Sequence, residues 1–169
     1  QQFTVDYAVN LVGGTFEGFG ASGPIVTVDS EVTGVTFSRM TFKFHNGSSA
    51  SSSSSSSAAG REGGEFGGPA VMLDGLNDDT MFSRCRFVGN EGAAVDAGDG
   101  VDVYFEACRF NSNGNDVEAW GGSLIFFGCQ MAGTLGDSVI QYGPVDAEKC
   151  KWTRIRGTAL NLDDGIVVE

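Results

Sequence analysis

The chain has 169 residues, enough for one hydrophobic core and too few for two comfortable ones, so a single domain over 1–169 is expected. Its 22 acidic against 10 basic side chains give a net charge of −12, which repels a polyanion, argues against nucleic acid as a partner and welcomes a cation or a basic surface. No run approaches the roughly 18 apolar residues needed to cross a bilayer, so no membrane span is expected.

The chain opens at Gln1 without methionine, as a secreted protein does after signal removal and as a fragment with local numbering also does. Leu11, Gly14 and Phe16 form a faint first unit of a repeat. The segment GVTFSRMTF at 34–42 is a clearer second unit, with Val35, Phe37, Met40 and Phe42 at its apolar positions. His45 follows on an expected turn, where a solvent-exposed role is favoured over that of ligand or base. Asn46-Gly47-Ser48 is a sequon that accepts a glycan in a secretory setting. The stretch GSSASSSSSSSAAGREGGEFGG at 47–68 has low complexity and buries no core, so it is expected to loop out of the fold as a flexible insertion.

Four further units follow: FSRCRF at 82–87, FEACRF at 105–110, FFGCQM at 126–131 and AEKCKW at 147–152. Their cysteines, Cys85, Cys108, Cys129 and Cys150, are spaced by 23, 21 and 21 residues. Phenylalanine stands three residues before the first three of them, and an apolar residue stands two after all four. Val103 and Phe105 alternate, and so do Cys108 and Phe110, yet Phe105 and Cys108 are three apart. On one straight strand that spacing puts them on opposite faces. A corner through Ser83-Arg84, Glu106-Ala107, Phe127-Gly128 and Glu148-Lys149 restores both to the inside.

A second corner is expected at 90–92, 111–115, 133–136 and 154–157, and a third at 98–100, 121–122, 143–144 and 163–165. Three short strands and three corners per unit describe a coil of triangular section. The 26 glycines, 13 phenylalanines and only 3 prolines suit such a coil: many tight corners around an aromatic interior. Stacked coils form a parallel β-helix, here of about six coils of roughly 21–26 residues. A leucine-rich repeat shares the period but wants more leucine and a helical return.

The pattern V-x-F-x-x-C-x-F, then a turn, an A-V pair and a glycine corner, resembles the right-handed parallel β-helix repeat of the pectate-lyase-like superfamily. It runs from residue 11 to 168, most firmly from 34 onward. The resemblance implies an all-β solenoid. It leaves function open, because the superfamily holds polysaccharide lyases and hydrolases, phage tailspikes, adhesins and surface proteins without known activity.

The unpaired cysteine spacing disfavours a zinc site, which wants ligands close together in sequence. Two readings remain: a ladder of buried free thiols, or disulfides between adjacent coils, Cys85 with Cys108 and Cys129 with Cys150. The residue after each inward Val95-like position must point outward, which gives the column Thr27, Met72, Asp96, Glu118, Ile140, Asn161. Asp96 and Glu118 would be stacked carboxylates able to share a proton, ligate Ca²⁺ or flank a glycosidic bond. Arg154 or Arg156, on the following turn, could face a sugar carboxylate or act as a lyase base. The acidic loops at 98–102 and 162–165 lack calcium-loop spacing and are expected to be ordinary corners.

Residues 165–168 restart a coil with no capping helix after them, so protein partners or neighbouring domains are expected over the β-helix ends. The expected function is a non-enzymatic structural or interaction module, extracellular or surface-exposed, needing no cofactor. The alternatives are a carbohydrate-active domain that binds or cleaves acidic polysaccharide through Asp96, Glu118 and Arg156, with Ca²⁺ where needed, and an accessory subunit of an intracellular complex.

Overall fold

The computed structural model describes residues 2–18, 23–43, 68–75 and 79–141, and the backbone of two further strands at 145–148 and 155–157. Asn46, His45, Cys150, Arg154, Asn161 and almost all of the serine-rich insertion lie outside the described residues. Within them the chain is all strand and turn. The first coil holds β1 (Phe3–Val5) and β2 (Asn10–Glu17), the second β3 (Val26–Val28) and β4 (Thr36–Lys43). Three strands make up each of the next three coils: β5 (Val71–Leu73), β6 (Thr80–Ser83) and β7 (Arg86–Val88); then β8 (Ala93–Ala97), β9 (Val103–Glu106) and β10 (Arg109–Asn111); then β11 (Asn115–Ala119), β12 (Leu124–Phe127) and β13 (Gln130–Ala132). The last strands are β14 (Val139–Gln141), β15 (Val145–Glu148) and β16 (Ile155–Gly157).

These strands stack coil on coil as a parallel β-solenoid of about five turns, against the six coils expected. One sheet has seven strands in the order β1-β3-β5-β8-β11-β14-β16. The other has nine, in the order β13-β10-β7-β4-β6-β9-β12-β15 with β2 beside β4. That second sheet is two strand stacks joined through the long strands. The first half of β4 pairs with β6, Phe37 opposite Phe82, and its second half pairs with β7, Phe42 opposite Phe87.

The junction between the halves is the corner expected from the Phe-x-x-Cys slip, and the backbone shows how it is made. The residue before each inward Met or Cys, and before Gly14 at the same register place in the first coil, adopts a left-handed conformation: Gly13, Arg39, Arg84, Ala107 and Gly128 have φ of 67°, 55°, 55°, 51° and 63°. One left-handed residue reverses the in-and-out phase, so phenylalanine and cysteine three apart both turn inward. Hydrogen bonding between coils continues through the corner. The Arg84 and Ala107 amides donate to the Glu106 and Phe127 carbonyls of the next coil at 2.7 and 2.8 Å, and the Arg109 and Gln130 amides donate back to Cys85 and Cys108 at 2.9 and 3.0 Å. At the third corner a Cβ on Gly122 would collide with the Val101 carbonyl of the coil beneath, which restricts that place to glycine.

Two columns of rings run through the core. Phe37, Phe82, Phe105 and Phe126 stack with centroids 4.9, 5.2 and 4.7 Å apart and planes within 10°. Phe42, Phe87 and Phe110 form the second column at 5.0 and 4.6 Å, and the columns meet edge to face. Each such aromatic pair contributes about 0.5–1.5 kcal/mol beyond the area it buries. Cys85, Cys108 and Cys129 are buried thiols, not joined to one another as disulfides. Each thiol donates to the carbonyl of the phenylalanine one coil below, Phe37, Phe82 and Phe105, at 3.2, 3.2 and 3.4 Å. A small side chain with a weak donor is what a tight inside corner admits.

The last coil departs from the expected register. Residues 155–157, expected in a turn at 154–157, pair as β16 with β14, so Arg156 and not Asn161 stands opposite Ile140. The link into that strand is shorter: residue 155 follows 148 by 7 positions, where 139 follows 127 by 12. Ile155 takes the register place of Val139, and a β-branched residue suits a paired strand.

The left-handed corner supplies a test with two signs. Gly128 has open space around its missing Cβ, so Gly128→Ala costs only the backbone strain, about 1 kcal/mol, whereas Ala107→Gly relieves that strain and gains about 0.5–1 kcal/mol. Urea unfolding of the two variants should shift the midpoint in opposite directions.

Candidate functional site

The expected carboxylate pair forms. Asp96 on β8 and Glu118 on β11 are register partners, in a column that reads Thr27, Met72, Asp96, Glu118, Ile140. Their surroundings are not those of an open cleft. Asp96 is only 7% exposed. Glu118 is half-buried and accepts a hydrogen bond from Asn115 Nδ2 at 2.6 Å. Arg156 enters the same strand stack through β16, two rungs beyond Glu118, instead of lying on a neighbouring turn. Among the described residues no three His, Cys, Asp or Glu side chains converge to hold a metal ion, so the pair offers Ca²⁺ two carboxylates and no third.

Behind this column lies a buried polar network with no counterpart in the sequence reading. Asn90 and Asn113 take the same place in successive coils, and both are fully buried. Asn90 Nδ2 donates to Asn113 Oδ1 at 2.9 Å, and Asn113 Nδ2 donates to the Phe87 carbonyl at 3.2 Å and to Asp116 Oδ1 at 2.8 Å. The Thr134 hydroxyl, at the same place one coil further, meets Asp116 Oδ2 at 2.7 Å. Burial pushes the Asp116 carboxyl up to about 7, against the opposing pull of hydrogen bonds from Asn113, Thr134 and Ser138. This network closes the second corner, where the turning chain leaves carbonyls that the strand ladders do not use.

Two exposed faces carry the remaining chemistry, one on each side of the left-handed corner. On the outer face of β6, β9 and β12, Met81, Tyr104 and Ile125 are register partners, and Phe127 stands beside them. Tyr104, Ile125 and Phe127 are 39%, 39% and 36% exposed, a continuous apolar stripe over three coils. A shallow groove of about 420 Å³ opens on this stripe, lined by Asp79, Met81, Tyr104 and Glu106. The Ser83 hydroxyl donates to Glu106 Oε2 at 2.9 Å and holds that carboxylate at the rim.

The other face is cationic. Arg39 and Arg84 occupy the corner on adjacent coils, and Arg86 and Arg109 are register partners on β7 and β10. All four are exposed, and among the described residues none of them makes an ion pair; the pair that does form is Lys43 with Glu17, at 3.2 Å. The sequence signal for this face is the arginine directly after Cys85 and Cys108. The apolar stripe is marked four residues before Cys85, Cys108 and Cys129.

The chain matches no protein-family model, no curated protein and no solved structure.

Asp116 makes stability depend on pH in an unusual direction. Its folded carboxyl titrates near 7 and an unfolded one near 3.8, so between these values the folded chain holds a proton that the unfolded chain releases. The contribution of this group to stability is therefore fully present below about pH 4 and is lost as pH rises to 7, by about 4 kcal/mol. Asp116→Asn keeps a donor and an acceptor in place and removes the titration. The difference between wild type and variant, followed by denaturant unfolding across that range, should grow in the variant's favour as pH rises.

Proposed function

We propose that the chain is a non-enzymatic β-solenoid module, extracellular or surface-exposed, that acts as a rigid scaffold within a larger protein or assembly and offers a flat strand face to a protein partner. The observation that carries this reading is the exposed stripe of Met81, Tyr104, Ile125 and Phe127. Rigid aromatic and aliphatic groups on an immobile sheet, rimmed by Asp79 and Glu106, have the makeup of an interface centre with a polar edge. The repeat's likeness to the pectate-lyase-like superfamily fits such a role, since that superfamily includes adhesins and surface proteins. A glycan on Asn46 would accompany a secretory route.

A second reading, binding or cleavage of acidic polysaccharide, has the register of Asp96 and Glu118 in its favour. The burial of Asp96 weighs against it, because a polymer must reach both carboxylates.

Two measurements decide. Ile125→Lys with Phe127→Lys should leave unfolding stability within about 0.5 kcal/mol, as surface positions do, whereas a loss above about 2 kcal/mol would mean that the stripe holds the coils together and is no free surface. Uronic-acid polymers incubated with the chain, with and without Ca²⁺, should yield no product, and Asp96→Ala with Glu118→Ala should change nothing. Turnover that disappears in that double variant would establish the polysaccharide reading instead.

A further inference from the structure

Charge is sorted around the coil. Four arginines, Arg39, Arg84, Arg86 and Arg109, share one corner and the face beside it, while Arg156 stands apart on β16 of the seven-stranded sheet. The third corner, across the coil between the seven-stranded sheet and the apolar stripe, is acidic. Asp6, Asp29 and Asp74 follow β1, β3 and β5 at the same register place, as the bonds from the Asp29 amide to Val5 and from the Asp74 amide to Val28, both 2.9 Å, require. Glu31, Asp79, Asp99 and Asp102 extend this acidic edge, and the sequence places no lysine or arginine at 29–35, 74–79, 98–102 or 120–123.

Stacked like charges are unfavourable in a sheet, where neighbours on one face lie about 5 Å apart. The arginine ladder carries that cost, and nothing described within the chain offsets it. An opposing row of carboxylates would. To meet rung after rung, such a row must repeat at the coil spacing of about 4.8 Å. A second solenoid of the same sequence has that repeat by construction.

We infer that the arginine face binds the acidic corner of a second copy of this chain, the two solenoids lying side by side with coils level. The chain's charge of −12 opposes approach at long range. At physiological ionic strength screening confines charges to about 8 Å, so the facing rows govern a contact once made. Because the two surfaces differ, the contact is head-to-tail, and further copies can add until a ring closes or a row extends. Lateral association of this kind names one partner for the scaffold and rests on that reading. It leaves the Tyr104, Ile125 and Phe127 stripe uncovered, so the two are tested apart.

Sedimentation velocity over a concentration series in physiological salt is the test. The wild-type chain should form species that grow with concentration and shrink in high salt. Arg86→Glu with Arg109→Glu should be monomeric, and so should Asp29→Lys with Asp74→Lys. Mixed in equal amounts, these two variants pair the intact arginine face of one with the intact acidic corner of the other, and their two reversed surfaces also oppose in charge, so salt-sensitive association should return. Recovery in the mixture also shows that both variants are folded. A wild-type chain that stays monomeric at every concentration overturns the inference, as does association indifferent to either pair of reversals. So does a monomer whose Arg86 and Arg109 instead bind heparin as the anionic probe, which would assign the face to a sulfated or phosphorylated polymer.

Discussion

Everything in this molecule depends on one spacing. Each coil offers its backbone amides and carbonyls to the next at the hydrogen-bonding distance of parallel strands, about 4.8 Å, and whatever occupies one rung must tolerate its like at that distance on the next. Phenylalanine tolerates it well: rings stack at 4.6–5.2 Å with planes almost parallel. The thiols tolerate it because each donates to a carbonyl of the coil below. The left-handed corner residue exists to keep this ladder going while the chain changes direction, and its amide bonds to the next coil as a strand residue would.

The same spacing explains what was legible in the sequence. Inward positions are chosen for stacking, so they repeat, and the repeat exposes the corner: the slip of three between Phe105 and Cys108 has one simple geometrical cause, which the left-handed φ of Ala107 confirms. The pairing of Asp96 with Glu118 was legible for the same reason, since register follows from the inward valines. Their burial was not. Whether an outward residue is exposed depends on what else packs over that face, and period 2 carries no information about it.

The Asn90, Asn113 and Asp116 network is not legible in the sequence, because only two asparagines share the column and their bonds go to carbonyls that no pattern records. The last coil failed for a different reason. Its strand could start at Ile155 or near Leu160, both branched apolar residues followed by a polar one, and the hydrophobic pattern alone does not count the residues in the preceding turn. The arginine column and the apolar stripe are not legible as surfaces in the sequence, because their residue types are equally at home at corners and on the outer faces of strands.

A solenoid turns sequence repetition into physical ladders, and the sign of each ladder depends on the side chain. An aromatic column gains with every rung. A charged column loses with every rung, because its members lie well within a screening length of one another and water relieves only part of their repulsion. In a coil that satisfies its inner columns so consistently, an outer column of arginines with no ion pair among the described residues is best understood as half of a contact completed outside one chain. The buried Asp116 obeys the same logic from within: a lone carboxyl among amides and hydroxyls is accommodated by holding its proton, whereas a ladder of ionised groups must look for its counter-charge elsewhere.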